Sequence, residues 1–123
     1  MKRPAFNLVE LVICLSVMAI FAAIGPTIAN GLLNNWHLQA ASRGLVSDLR
    51  QLQAQAICRH ETLTFNPAQF KLPAGIIFSK TSPIAFAASG QTPPGGSGTL
   101  ILSNRLGQSR KVIVSSAGRI RRE

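Results

Sequence analysis

The chain has 123 residues, which is enough for one structural unit, and its formal net charge is +9. Residues 62–123 carry +7 of that charge, because eight Lys and Arg face a single acidic residue, Glu123. One carboxylate excludes the acid pair of a glycosidase and no Ser, His and Asp arrangement stands out, so we predict that the chain is not an enzyme. The basic excess favours polyanionic or acidic partners, although a solvated surface has the same composition.

The first 29 residues have the pattern of a membrane-inserted amino terminus. Residues 1–5 are a short basic leader, and residues 6–29 contain an apolar run that is free of charge from Leu11 onward. At about 1.5 Å per residue this run is long enough to cross a hydrocarbon layer of about 30 Å. A signal peptide has a shorter apolar region followed by a small-residue cleavage site, so we expect this segment to stay in the mature chain. Lys2 and Arg3 predict a cytoplasmic amino terminus, with the rest of the chain outside.

Residues 30–61 form a second segment, in which apolar residues recur every three or four positions. That spacing predicts an amphipathic helix with one face against an apolar surface and the others in water. Gly25-Pro26 and Asn30-Gly31 interrupt the helical run, and we expect kinks or locally melted turns there, because helical spacing resumes beyond them. The predicted apolar face comprises Leu38, Ala41, Leu45, Leu49, Leu52 and Ala56.

Residues 62–123 change to a period of about two, which predicts short strands separated by turns. The strands are expected at residues 62–65, 70–72, 76–79, 84–87, 99–103, 111–115 and 119–121. They form a small antiparallel sheet, which is marginal alone and is completed by packing on the amphipathic helix. The Gly- and Pro-rich stretch 89–98 is expected to be a flexible surface loop. The predicted fold class is therefore α+β, with a long amino-terminal helix packed on a carboxy-terminal sheet.

No metal or cofactor site is predicted. The soft ligands outside the apolar run are His37, Cys58 and His60. Cys58 and His60 are two positions apart and diverge on a helix, which disfavours a shared metal ion. The glycines within residues 95–98 lack the Lys-Ser or Lys-Thr of a phosphate-binding loop.

Glu10 needs an explanation, since a carboxylate in an apolar membrane segment is costly unless it is paired. The string Ala5-Phe6-Asn7-Leu8-Val9-Glu10-Leu11 resembles the prepilin cleavage motif of type IV pilins and type II secretion pseudopilins, with alanine where glycine is usual. The resemblance implies that a prepilin peptidase cuts between Ala5 and Phe6 and methylates the Phe6 amine. It also implies that Glu10 pairs with the Phe6 amine of a neighbouring subunit during assembly.

The carboxy-terminal half carries a second resemblance. Residues 49–60 (LRQLQAQAICRH) followed by a strand, and the ending Gly118-Arg119-Ile120-Arg121, are similar to the pilin-like FimT/GspH group of minor pilins and pseudopilins. In FimT-like proteins a comparable ending takes part in DNA binding, which implies DNA-binding roles for Arg119 and Arg121. Because these two are separated by one residue, their side chains share one face of a strand. Further DNA-binding residues expected to add to this patch are Arg122, Lys111, Arg110 and Arg105.

Such a patch would contact phosphates without reading sequence, since no aromatic side chain is interleaved with the arginines for base stacking. The helical residues Arg43 and Arg50 are expected to contribute much less. The residues leave two alternatives open, a solvated tail and a contact with acidic neighbours in a tip complex.

The resemblance is compatible with two filament-assembly systems, the type IV pilus and type II secretion. In the first, the chain is a minor pilin at or near the tip of a type IV pilus and binds DNA for natural transformation. In the second, it is a GspH-like pseudopilin that helps initiate the pseudopilus of type II secretion and contacts other minor subunits or cargo. The expected partners are prepilin peptidase, the major and other minor pilins or pseudopilins, the inner-membrane assembly platform and the lipid bilayer. We expect a single-pass protein of the bacterial inner membrane, and after assembly a filament in the periplasm or outside the cell.

Overall fold

The computed structural model describes residues 5–123, in which one long helix is followed by short strands. Of the predicted basic leader only Ala5 belongs to this part of the chain, and Lys2 and Arg3 lie outside it. The chain divides into two compact units, Met1–Leu33 and Asn34–Glu123. The helix α1, Leu8–Arg59, contributes residues to both units.

In the first unit, α1 runs through an apolar sequence whose side chains are exposed. The helix is long and apolar enough to cross a membrane, and its most apolar stretch is not buried. The melted turns expected at Gly25-Pro26 and Asn30-Gly31 are absent, because every residue of Leu8–Arg59 is helical. Pro26 removes a single backbone donor, and the hydrogen bonds of the neighbouring turns keep the segment helical.

In the second unit, one face of α1 is buried and the other faces are exposed, which confirms the predicted amphipathic helix. Leu52, which was also expected on this face, is half-buried. Ser42 joins the buried face because its hydroxyl donates to the Gln39 carbonyl (2.8 Å), so its polar group is satisfied within the helix. The buried residues of α1 are Leu38, Ala41, Ser42, Leu45, Leu49 and Ala56.

The helix ends in a left-handed turn at His60, whose φ is 54°. The Glu61 N–H donates to the Ala56 carbonyl (3.2 Å), and the His60 N–H donates to the Ile57 carbonyl (3.3 Å). This is the Schellman arrangement, which satisfies carbonyls that the end of a helix would leave without donors. It uses histidine at a position where glycine is the commonest residue.

The strands form two antiparallel sheets rather than the single sheet expected from the sequence. They are β1 Leu63–Thr64, β2 Ile76–Lys80, β3 Ala85–Phe86, β4 Gly98–Asn104, β5 Ser109–Val114 and β6 Ile120–Arg122. The short strands β1 and β3 pair with each other, and the remaining strands have the order β2-β4-β5-β6. Pro83 lies between β2 and β3. It has no backbone N–H to donate to a neighbouring strand, which disfavours one continuous strand through this segment. The strands β2 and β6 are the edges of the larger sheet.

The strand predicted at residues 70–72 is wrong. A short 3-10 helix, Pro67–Gln69, precedes this segment and is capped by Asn66, whose Oδ1 accepts from the Ala68 N–H (3.0 Å). Phe70 and Leu72 pack against the core, so their alternation reflects burial without strand pairing. The other predicted strands are present, with bounds shifted by one or two residues.

The core of the second unit joins α1 to the strands. Phe86 of β3, Leu100 and Leu102 of β4, and Val112 and Val114 of β5 are at most 2% exposed. They form one cluster with the buried face of α1. The predicted α+β fold, with a helix packed on antiparallel strands, is confirmed.

Of the predicted loop 89–98, residues 89–97 lie in a loop and Gly98 begins β4, and the loop is hydrogen-bonded to neighbouring segments. The Thr92 N–H donates to the Ser116 carbonyl (3.2 Å). From α1, the side-chain amide of Gln53 donates to the Gly90 carbonyl (2.6 Å), and Gly90 is buried. The loop therefore lies at the surface, and these hydrogen bonds hold it to the packed structure.

Candidate assembly and anion-binding sites

The predicted cleavage junction lies immediately before α1. Ala5, Phe6 and Asn7 are outside regular secondary structure and are exposed, and Phe6 is 70% exposed. The Asn7 carbonyl accepts a hydrogen bond from the Leu11 N–H (3.1 Å), at the start of the helix. The Ala5–Phe6 peptide bond is therefore accessible and non-helical, as a peptidase substrate has to be.

Glu10 lies in the first turn of α1, and its side chain is exposed. Within residues 5–123 the one ion pair joins Arg121 to Glu123, so Glu10 has no cationic partner in this part of the chain. The amino terminus of a helix favours a negative charge by about 0.3–1 kcal/mol. An unpaired acid costs roughly 2.5–3.5 kcal/mol at the centre of a membrane helix and less near its end, so the helix terminus offsets part of the cost of Glu10. A cationic partner would offset the remainder of this cost.

The arginine-bearing strand β6 begins at a turn that only glycine fits well. Gly118 has φ 79°, and a Cβ at this position would collide with the Gly90 carbonyl oxygen. The Gln53 side-chain amide donates to both the Gly90 carbonyl (2.6 Å) and the Gly118 carbonyl (3.0 Å). The glycine of the Gly-Arg-x-Arg ending thus lets the chain approach α1 closely and positions the arginines that follow. The sequence hints at this role of Gln53 only by its position four residues after the buried Leu49.

Arg121 belongs to β6, and Arg119 immediately precedes this strand, which starts one residue later than predicted. Arg121 is opposite Ile113 of β5, on the sheet face away from the core, and both arginines line one shallow concavity with Ile113. Lys111 is exposed on the same face, diagonal to Arg121. We call Arg119, Arg121 and Lys111 the outer basic face. The Arg121 Nη2 atom lies 3.6 Å from the Glu123 Oε1 atom, but both side chains are more than half exposed, so this pair is weak.

Arg122 lies on the opposite face of β6. It is opposite the buried Val112, so its side chain starts on the face that packs against α1. There it lines a groove of about 460 Å³ together with Arg43 and Arg50 of the helix. Successive strand residues alternate between faces, and this alternation separates Arg122 from the patch that the sequence predicted for it.

Arg110 and Arg105 are also separate from the outer basic face. Arg110 is half-exposed and lies two residues before the buried Val112 on β5. Its side chain therefore starts on the same face of the sheet as that of Arg122. Arg105 lies in the turn between β4 and β5, beside Gly75. The six predicted DNA-binding residues are thus divided between two faces of the sheet and the β4–β5 turn.

Soft ligands are not gathered in the part of the chain that the structure describes. No three His, Cys, Asp or Glu side chains among residues 5–123 are placed to hold a metal ion. Cys14 and Cys58 are both free thiols and exposed. The charged groups described above can make ionic contacts with other molecules. They are the carboxylate at the start of α1 and the cationic side chains around β6.

Comparison with known proteins adds no family assignment. No protein family, curated protein or solved structure matches this chain. Its function is therefore proposed from its own residues and their geometry.

Proposed function

We propose that this chain is a prepilin-like subunit that is inserted in a membrane, cleaved between Ala5 and Phe6, and assembled into a filament. The observation that carries the proposal is an exposed, non-helical junction directly before an exposed apolar helix whose first turn holds one acid, Glu10. Cleavage at this junction creates an α-amine on Phe6. An ammonium and a carboxylate each have a desolvation cost in lipid, and pairing them between subunits offsets part of both costs.

The exposed apolar surface of the first unit supports the same proposal. Phe21, Ile24 and Ile28 are between 52% and 73% exposed. Lipid covers such a surface before assembly, and helices of neighbouring subunits can cover it afterwards through close packing. Pairing of Glu10 with the Phe6 amine of the next subunit would fix the axial register of these helices.

Mass spectrometry of the membrane and filament fractions tests the processing step. We expect a chain that begins at a methylated Phe6, whereas cells without prepilin peptidase should retain residues 1–5. Ala5→Gly should be cleaved like the natural chain, because the residue before the cut stays small, and Ala5→Leu should remain uncut. A natural chain that retains Met1 in cells that process their major pilin would contradict the proposal.

We further propose that the outer basic face contacts the phosphates of DNA. Arg119, Arg121 and Lys111 are exposed beside an edge strand, which a long polyanion can approach from the side. Guanidinium groups bind phosphate oxygens through paired, charge-assisted hydrogen bonds. Their neighbour on this face, Ile113, is aliphatic and offers no base stacking, so we expect phosphate contacts with little sequence preference.

A pseudopilin of type II secretion is the second candidate, and one surface favours it. Ile77 of β2 and Leu106 of the β4–β5 turn are 63% and 57% exposed, and Ile77 lines a small concavity with Arg105. Exposed apolar side chains beside a cation suit contact with another protein subunit. Deletion of the gene for this chain distinguishes the two candidates. It should reduce DNA uptake if the chain is a DNA-binding pilus subunit, and it should reduce protein export if the chain is a pseudopilin.

A further inference from the structure

A groove between α1 and the edge strand β6 brings two arginines of the helix together with one from the end of the chain. Arg43 and Arg50 come from the helix, and Arg122 comes from the strand. All three are exposed, while Val46 and Ile120 are half-buried and form an apolar floor. The residues that line the groove are Arg43, Val46, Ser47, Arg50, Ile120 and Arg122.

The helical repeat and the strand alternation together create this groove. Arg43 and Arg50 are seven residues apart, so they lie on the same face of α1, separated by about 10 Å along its axis. On β6, Ile120 is opposite the buried Val114, and Arg122 is on the same side of the strand. The groove therefore has two cations along one wall and a third on the other.

The charge of the groove is not balanced within the described part of the chain. No carboxylate lines it, and among residues 5–123 the single ion pair is formed by Arg121 and Glu123, on the other face of β6. Like charges at a concave surface raise the local potential and attract anions. Arginine binds phosphate oxygens through its planar fork of donors, which suits a phosphate seated between two or three such groups.

We propose that this groove binds the phosphodiester backbone of the same DNA that the outer basic face contacts. Arg121 and Arg122 are adjacent but face opposite sides of β6, and β6 is an edge strand with no neighbour on its outer side. DNA that passes this edge can be held from both faces at once. The inference rests on the proposed DNA-binding function, and it assigns Arg43 and Arg50 a direct role in it.

An anionic lipid headgroup is the other source of phosphate, and the positions along α1 disfavour it. Trp36 is the amphipathic aromatic at the end of the apolar run, where interfacial tryptophans lie. At 1.5 Å per residue, Arg43 is about 10 Å and Arg50 about 21 Å farther along the helix. The polar layer of a bilayer is only about 5–7 Å thick on each side. Headgroups would therefore not reach the Arg50 end of the groove.

The test uses the mature full-length chain in nonionic detergent micelles and a short duplex DNA, with affinity measured by fluorescence anisotropy over a range of salt concentrations. The groove variant is Arg43→Gln with Arg50→Gln. The matched control is Lys71→Gln with Lys80→Gln, which removes the same charge from exposed side chains before and at the end of β2, the opposite edge strand. The reference for the outer basic face is Arg119→Gln with Arg121→Gln.

Each phosphate neutralised contributes about −0.9 to the slope of log affinity against log salt, so the groove variant should flatten the slope by about 1.8. The outer-face variant should flatten it by a similar amount, and the lysine control should leave the slope nearly unchanged. If the groove variant matches the lysine control while the outer-face variant loses affinity, the groove proposal is overturned and the proposed function stands. If the natural chain does not bind DNA at low salt, the proposed DNA-binding function fails and the groove proposal fails with it.

Phosphatidylglycerol vesicles provide the lipid arm of the experiment. We expect the natural chain and the groove variant to bind such vesicles equally. A groove variant that loses vesicle binding but keeps the DNA affinity of the lysine control would make this a lipid site and overturn the proposal.

Discussion

Replacing Gln53 with alanine should loosen the arginine-bearing strand while leaving the core of the second unit intact. The Gln53 side chain is half-buried and donates to two carbonyls, at Gly90 (2.6 Å) and at Gly118 (3.0 Å). Both glycines are buried, so removal of the amide deprives two shielded carbonyls of a donor. The cost of such a loss is about 1–3 kcal/mol. It falls on the local opening of the turn that begins β6, because that turn is what Gln53 holds against α1.

Hydrogen exchange of residues 115–123, followed by mass spectrometry of the full-length chain in micelles, measures this opening. A loss of about 1–3 kcal/mol corresponds to exchange that is roughly 5- to 150-fold faster in the variant. Gln55→Ala is the matched control, since Gln55 is exposed on the same helix and makes no side-chain hydrogen bond among the described residues. Gln53→Glu should exchange at least as fast as Gln53→Ala, because its carboxylate would face two carbonyl oxygens. Equal exchange in Gln53→Ala and Gln55→Ala would refute the role given to Gln53.

Three further substitutions test the fold by thermal unfolding of the same preparation. Gly118→Ala should destabilise by at least about 1–2 kcal/mol, because alanine disfavours the left-handed φ and its Cβ meets the Gly90 carbonyl; no loss would contradict the turn. Leu45→Ala should cost about 2–5 kcal/mol, because Leu45 is fully buried; a cost under about 1 kcal/mol would contradict the core. His60→Gly should stabilise by about 0.5–1 kcal/mol, because glycine adopts the left-handed turn readily; destabilisation would contradict the helix end.

The long helix and its buried face could be predicted from the sequence, because both depend on spacing along one element. Leu38, Leu45 and Leu49 recur at helical intervals, and all three are buried. The helix continues through Gly25-Pro26, as the resumed helical spacing predicted, and the turn there is helical rather than melted. Helical spacing thus predicted both the buried face and the continuation of the helix.

The arrangement of the strands depends on pairing between distant segments, which a single sequence does not encode locally. Alternation placed most strands within two residues of their bounds. The same alternation predicted a strand at residues 70–72, which is wrong. Phe70 and Leu72 pack against the core, but their backbone does not pair with another strand. The division into two sheets, and the position of β6 at an edge, follow from which strands pair.

The basic surface shows the same division between local and distant information. Strand alternation predicted that Arg119 and Arg121 share one side of the sheet, and both line one concavity although Arg119 precedes β6. The groove was not, since it requires β6 to lie beside α1, which brings Arg122 to Arg43 and Arg50. For this reason only a minor role was predicted for the helical arginines, whereas the groove proposal assigns them a direct one.

Incorporation of a Glu10 variant into filaments tests the central claim most directly. The measurement compares the natural chain, Glu10→Val and Ser16→Val in purified filaments, each normalised to its amount in the membrane. Ser16 donates its hydroxyl to the Val12 carbonyl within α1 (2.7 Å), so Ser16→Val removes a polar group from the same segment without changing its charge. Glu10→Val should enter the membrane at least as easily as the natural chain, because it removes a charge from the apolar segment. We expect Ser16→Val to assemble normally and Glu10→Val to be depleted from filaments, because the Phe6 amine then lacks its partner. Filaments that contain Glu10→Val at the natural level would contradict the account.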